Sequence, residues 1–165
     1  MPEPSIKVAV VEDSAEEREA IQAIIQRHAD LQCVGAFTTG EHALENIPRL
    51  APDVVLMDIG LPGISGIECI GRLKGTLPRM QIMMLTVFEN HDRIFESLQA
   101  GASGYILKRQ SSQLADLIRE LHVGGAPMSG SIARQVVDWF QKRPVRDPDL
   151  EHLSRREEEI LALLA

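Results

Sequence analysis

The stretch IKVAVVEDSAEEREAIQAIIQRHADLQCVGAF, residues 6–37, holds one complete unit of the fold. Its opening, Ile6–Val11, is almost wholly apolar, as expected of a parallel strand covered on both faces. The run stops abruptly at Glu12-Asp13. Ser14 and Glu17 then stand at capping-box spacing, and Ile21, Ile24, Ile25 and His28 share one stripe of an amphipathic helix. A second β-type run, Leu31–Phe37, is weaker and more alternating, so it reads as a sheet edge. Strand, helix and strand in so short a span make a crossover unit with parallel strands.

The same unit recurs along the chain. Further β-type runs occupy Val54–Asp58 (VVLMD), Gln81–Thr86 (QIMMLT) and Gly104–Lys108 (GYILK), and successive starts lie 23 to 27 residues apart. Between and after them come helical patterns built on Ala43, Leu44 and Ile47, on Ile67, Ile70 and Leu73, on Ile94 and Leu98, and on Leu114, Leu117, Ile118 and Leu121. Regular alternation of this kind predicts an α/β fold: a doubly wound, five-stranded parallel sheet with helices on both faces and right-handed crossovers.

Past Val123 the pattern changes. Gly124-Gly125-Ala126-Pro127 breaks the fifth helix, and Ser131–Phe140 predicts a short extra one. Gln141–Glu151 (QKRPVRDPDLE), with two prolines and six charges, reads as an extended linker. From Leu153 a new helix is expected, capped by Ser154 with Glu157 three residues on, and carrying Ile160, Leu161, Leu163 and Leu164. A lone amphipathic helix cannot bury its own apolar face, so 153–165 reads as the opening of a further domain. The expected division is therefore 1–123, a linker at 124–152 holding the helix 131–140, and 153–165. The stripe Ile160, Leu161 and Leu164 makes a homodimer one way of covering that face.

A chain of 165 residues has room for one full domain and a remnant, and 44% apolar with 25% charged residues is an ordinary globular balance. No apolar run approaches the ~20 residues of a bilayer span, and the start turns acidic where a signal peptide would be apolar. The expectation is a cytoplasmic protein with no membrane partner. Seventeen basic residues against twenty-four acidic give a net charge of −7, and the tail 141–165 holds five basic against six acidic. Charge alone thus offers no polyanion-binding surface. Cys33 and Cys69 lack a C-x-x-C spacing, and the histidines show no metal-ligand spacing.

In an open doubly wound sheet, ligands bind beyond the carboxyl ends of the strands. Those ends carry Glu12 and Asp13, Asp58, Thr86 and Lys108. No phosphate-cradling loop of either usual kind is present, and VEDSAEER after the first strand attracts a cation rather than a bare phosphate. Mg²⁺ takes one or two carboxylates together with waters and a phosphate, and Glu12, Asp13 and Asp58 suit it. Once a cation is bound the local sign inverts and a phosphoryl group can approach. Asp58, centrally placed, can then act as a nucleophile, with Lys108 and the Thr86 hydroxyl on phosphoryl oxygens. The glycine-rich loop Ile59–Gly66 (IGLPGISG) lets the Gly60 carbonyl approach the metal. Each residue alone has a plainer reading as helix-start charge, loop cap or solvated cation, Tyr105 among them as simple core. Four chemically suited strand ends together outweigh it.

The stretches VVEDS (10–14), VVLMDIGLPGISG (54–66), MLT (84–86) and AGASGYILK (100–108) resemble the receiver domain of two-component response regulators. That resemblance implies a flavodoxin-like strand order 2-1-3-4-5 and Asp58 as phosphoacceptor, phosphorylated by a sensor histidine kinase. It implies Mg²⁺ (or Mn²⁺) held by Asp13, Asp58 and the Gly60 carbonyl, with Glu12 acting through water. It also implies Thr86 and Tyr105 as a switch pair and Lys108 as the phosphoryl-binding lysine. Such a protein catalyses only its own phosphorylation and dephosphorylation and is not otherwise an enzyme. The helix 131–140 and LSRREEEILALLA (153–165) are similar to the linker and first helix of the LuxR/NarL-type helix-turn-helix output domain. Transcription control through DNA would then need the complete output domain, since base edges are read by a second helix that 153–165 does not supply. Two departures stand out: Arg109 follows Lys108 where many receivers have proline, and Val87 is bulkier than the residue many relatives place there, which predicts narrower access.

Two other classes compete. An aspartyl-nucleophile, metal-dependent phosphatase needs D-x-D after the first strand, whereas Asp13 is followed by Ser14-Ala15. A receiver-like binding module that is never phosphorylated would be marked by loss of a pocket residue, and none is lost.

Overall fold

The structure, a computed structural model, describes residues 5–142 and the single position Leu163. Strands β1 (Ile6–Val11), β2 (Leu31–Phe37), β3 (Val54–Met57), β4 (Gln81–Thr86) and β5 (Gly104–Leu107) alternate with helices α1 (Ala15–Gln26), α2 (Gly40–Leu50), α3 (Gly66–Thr76), α4 (His91–Ala100) and α5 (Leu114–His122), and α6 (Gly130–Lys142) follows. All strand pairs are parallel, in the order β2-β1-β3-β4-β5. Two expected strands end one residue early: Asp58 and Lys108 fall just past β3 and β5. Lys108 instead opens a 3-10 segment, Lys108–Gln113, that leads into α5.

Side-chain alternation builds two layers on the sheet. Val8, Val10, Val54, Leu56, Met83, Leu85 and Ile106 pack on α1 and α5 through Ile21, Ile25, Leu114, Ile118 and Leu121. Their neighbours Ala9, Val11, Val55, Met57, Ile82, Met84 and Leu107 are equally buried on the opposite face, where α2, α3 and α4 lie side by side. Helices α1, α2 and α3 start where short polar side chains cap them: Ser14 Oγ accepts from Glu17 N (3.4 Å), Thr39 Oγ1 from His42 N (3.2 Å) and Ser65 Oγ from Glu68 N (3.2 Å).

β2 is an edge strand, half-exposed along its middle, and its register slips between Val8 and Ala9 so that Val34 has no partner on β1. The β5 edge is covered. Tyr105 N donates to Pro127 O (2.9 Å), Ser129 N donates to Tyr105 O (3.1 Å), and Leu107 N donates to Ser129 Oγ (3.1 Å). These bonds satisfy strand groups that would otherwise face solvent or apolar side chains. The compact unit accordingly runs to Ala133 rather than breaking at Val123, because the segment after the glycines folds back along β5. Ser129 is buried, so Ser129→Ala leaves the Leu107 N–H without an acceptor. It should cost about 1–3 kcal/mol in urea unfolding. A loss below about 0.5 kcal/mol would show that the edge contact carries no stability.

α6 extends the expected helix 131–140 at both ends and so includes Gln141 and Lys142 of the expected linker. Its start, with buried Ile132, belongs to the first unit. The second unit begins at Arg134; within it Arg134 pairs with Asp138 (3.2 Å), and the Trp139 and Phe140 rings meet edge to face. The rest of the expected linker and the helix from Leu153 lie outside the described residues, apart from Leu163, which is helical and exposed. Among the described residues no helix is long and apolar enough to cross a membrane.

Candidate functional site

Strand register brings the acidic ends together. Val11 pairs with Met57 and Met57 with Met84, so β1, β3 and β4 reach the same rim. The next residues are tied there: Asp58 N donates to Val11 O (3.1 Å) and Glu12 N donates to Phe37 O (2.9 Å). Glu12 is 2% exposed and Asp58 6%, while Asp13 faces solvent. One carboxylate oxygen from each of Glu12, Asp13 and Asp58 lies within 4.8 Å of the others. An all-oxygen, anionic set of this kind fits a hard divalent cation.

Lys108 enters this cluster from the end of β5. Its Nζ lies 2.7 Å from Glu12 Oε2 and 3.1 Å from Asp58 Oδ2, and it also bonds Glu17 on the first turn of α1. The other oxygens are held by backbone: Asp58 Oδ1 accepts from Ile59 N (2.8 Å) and Glu12 Oε1 from Ser14 N (3.1 Å). Burial pushes the Glu12 carboxyl up to about 7, against the opposing pull of Lys108 and the Ser14 N–H. Burial alone would depress the Lys108 ammonium, but its bonds to Glu12 and Glu17 and the charge of Asp58 outweigh that and raise it above the ordinary lysine value.

Thr86 is fully buried at the end of β4, and its Oγ1 accepts from Phe88 N (3.4 Å). Tyr105 lies wholly inside, its hydroxyl donating to Phe88 O (2.8 Å), with burial raising its pKa. Gly60 is exposed in the loop after Asp58, and a Cβ there would sit 3.3 Å from the Phe88 ring. Val87 is 64% exposed, so the bulk beside Gly60 comes from Phe88 rather than from Val87.

Four further residues shape the site and were not singled out for it in the sequence. Glu17 looks like an ordinary first-turn acid, yet its carboxylate reaches Lys108. Gly66, the last glycine of the loop, packs its Cα directly on the Asp58 carbonyl. Glu41 accepts from Ile64 N (2.9 Å), which braces the same loop and holds the Glu41 carboxyl below its usual range. Glu89, three residues after Thr86, receives a two-pronged bond from Arg109 (2.8 and 3.0 Å), so the residue that replaces proline tethers the β4–α4 loop.

A parallel 2-1-3-4-5 sheet with an acidic triad, a lysine and a buried threonine on one rim defines a receiver-type signalling domain. Family comparison agrees: the profile of the response regulator receiver domain matches residues 8–119, and the chain belongs to that family. Its similarity extends past the receiver. It is 30% identical over 168 residues to the transcriptional regulatory protein LnrK of Bacillus subtilis, covering 96% of this chain and 76% of that protein. It is 31% identical over 162 residues to the response regulator protein VraR of Staphylococcus aureus, covering 98% and 76%. Among solved structures, a LuxR-family two-component response regulator from an Aurantimonas species superposes with a TM-score of 0.78 at 25% identity, covering 84% of this chain and 99% of that one. The chain is thus a response regulator of LuxR/NarL type, a family of signalling switches rather than turnover enzymes, whose receivers bind Mg²⁺ at an acidic pocket.

Proposed function

We propose that Asp58 accepts a phosphoryl group from a sensor histidine kinase in a Mg²⁺- or Mn²⁺-dependent reaction and that the modified receiver governs transcription through a LuxR-type DNA-binding output domain. The observation that carries this is the Lys108 ammonium bonded to Asp58 Oδ2 at 3.1 Å beside the Glu12–Asp13–Asp58 cluster. In the reaction an Asp58 carboxylate oxygen attacks phosphorus, the donor's P–N bond breaks, and its electron pair stays on the departing imidazole. Asp13, Asp58 and the Gly60 carbonyl would hold the cation, which when bound offsets negative charge on the carboxylates and the phosphoryl oxygens. Both Glu12 oxygens are engaged, by Lys108 and by Ser14 N, which favours a role for Glu12 through water.

Lys108 neutralises one phosphoryl oxygen. The Thr86 hydroxyl, whose oxygen already accepts from Phe88 N, keeps its proton free to donate to another. As Thr86 turns toward that oxygen, the Phe88 carbonyl–Tyr105 hydroxyl bond is the neighbouring contact that adjusts, which makes Thr86 and Tyr105 the switch pair. The receiver lies within the compact unit to Ala133, residues 153–165 open the output domain, and the protein acts in the cytoplasm, with a homodimer as one assembled form. The only reactions it catalyses are the phosphorylation and dephosphorylation of its own aspartate.

Incubation with a small acyl-phosphate donor and Mg²⁺ should add one phosphoryl group, by mass spectrometry. Chelation of the cation should prevent it, and Asp58→Asn should abolish it. Equal incorporation into Asp58→Asn at the same rate would refute the assignment.

A further inference from the structure

Lys108 is fully subscribed before any phosphoryl group arrives. An ammonium has three protons and no capacity to accept, and here three carboxylates, Glu12, Glu17 and Asp58, lie on it. A phosphoryl oxygen can therefore engage Lys108 only by displacing one of them. The three are not equally easy to displace. Glu12 is 2% exposed and its second oxygen is fixed by Ser14 N. Asp58 is the residue modified, and its Oδ1 is held by Ile59 N. Glu17 alone is substantially exposed, at 43%, on the first turn of α1, where its carboxylate can swing into water. It also lies outside the group of carboxylates positioned to share a cation.

We propose that Glu17 is a positioning residue that occupies Lys108 in the unmodified protein and competes with the incoming phosphoryl group for it. The inference rests on Asp58 being the phosphoacceptor. Glu17 contributes twice to the barrier: it holds the proton the phosphoryl oxygen needs, and its negative charge opposes a group carrying nearly two negative charges of its own. Once displaced, it remains nearby to recapture Lys108 when the phosphoryl group leaves, so it favours return to the unmodified state.

The test uses beryllofluoride as the phosphoryl mimic at saturating Mg²⁺, with the wild type, Glu17→Gln and Glu17→Ala, each checked for an unchanged urea midpoint. Both variants should half-saturate at about three- to tenfold lower beryllofluoride and gain a similar factor in the second-order rate constant of phosphorylation by an acyl-phosphate donor. Affinity for Mg²⁺ alone, measured without the mimic, should stay level or fall, because removing an anion cannot attract a cation. Tighter binding of the mimic without tighter binding of Mg²⁺ marks competition for Lys108; a merely structural role would weaken the mimic as well. Variants that bind the mimic no better than wild type would overturn the role of Glu17 while leaving Asp58 intact. A wild type that takes up no mimic, or takes it up equally as Asp58→Asn, would overturn the phosphoacceptor reading and the role of Glu17 with it.

Discussion

Gly66→Ala will lower stability by more than about 3 kcal/mol and abolish phosphoryl acceptance at Asp58, although the substitution adds one methyl group. That methyl would stand 1.9 Å from the Asp58 carbonyl oxygen, 2.8 Å from its carbonyl carbon and 3.1 Å from Ile59 Cα. All three are backbone atoms, so no side-chain rotation relieves the clash. Gly66 N also donates to Ile59 O at 3.1 Å, and Ser65 caps α3 immediately before it. Either the start of α3 must lift away or the backbone carrying Asp58 must shift, and both outcomes spoil the pocket. The same helix supplies the control. At Gly71 an added Cβ meets nothing within 4 Å, so Gly71→Ala should stabilise the fold by about 0.5–1 kcal/mol through helix propensity alone. Denaturant unfolding of the two variants tests the pair. A Gly66→Ala protein within about 1 kcal/mol of wild type would mean that α3 does not brace Asp58.

This contrast shows where the sequence is readable and where it is not. Parallel strands buried on both faces leave continuous apolar runs, and each run ends where a polar residue emerges on the functional rim. Glu12, Asp13, Asp58, Thr86 and Lys108 are therefore legible at the strand ends from the sequence alone, and the strand order follows from resemblance to the family. Gly60, Gly63 and Gly66 look alike in a loop, whereas only Gly66 meets the Asp58 backbone; sequence spacing holds no information about that approach. Glu17 has the appearance of a dipole-favoured helix-start acid, and its reach to Lys108 depends on how α1 docks on the sheet. The break at Gly124-Gly125 ends α5 as expected, but nothing in local composition announces that Pro127–Ser129 returns to pair with β5. Tyr105 is wholly buried, in keeping with its plainer reading as core, but its hydroxyl bond to the Phe88 carbonyl depends on how the β4–α4 loop folds over it.

Mg²⁺ affinity should rise with pH, approaching tenfold per unit below pH 7 and levelling off above it, and Glu12→Gln should flatten the profile. Burial raises the Glu12 carboxyl from 4.5 to about 7, so over much of the range between these values the folded protein holds a proton that the unfolded chain has released. A cation beside Glu12 favours its ionised form and must expel that proton, and expulsion becomes easier as pH approaches 7. The same linkage fixes the sign of the stability change without metal. Because the folded pKa is raised, the contribution of this group is fullest below about pH 4.5, falls as pH climbs, and stops falling near pH 7. A rise of that size corresponds to about 3 kcal/mol across the window. Lys108 acts elsewhere on the scale: its pKa is raised above 10.5, so its stabilising bonds persist below that value and are lost only in more alkaline solution. Metal titrations and urea unfolding at several pH values between 5 and 8, for wild type and Glu12→Gln, separate the two effects. A wild-type affinity independent of pH, or a Glu12→Gln profile as steep as the wild type's, would show that the proton expelled by the cation sits on some other group.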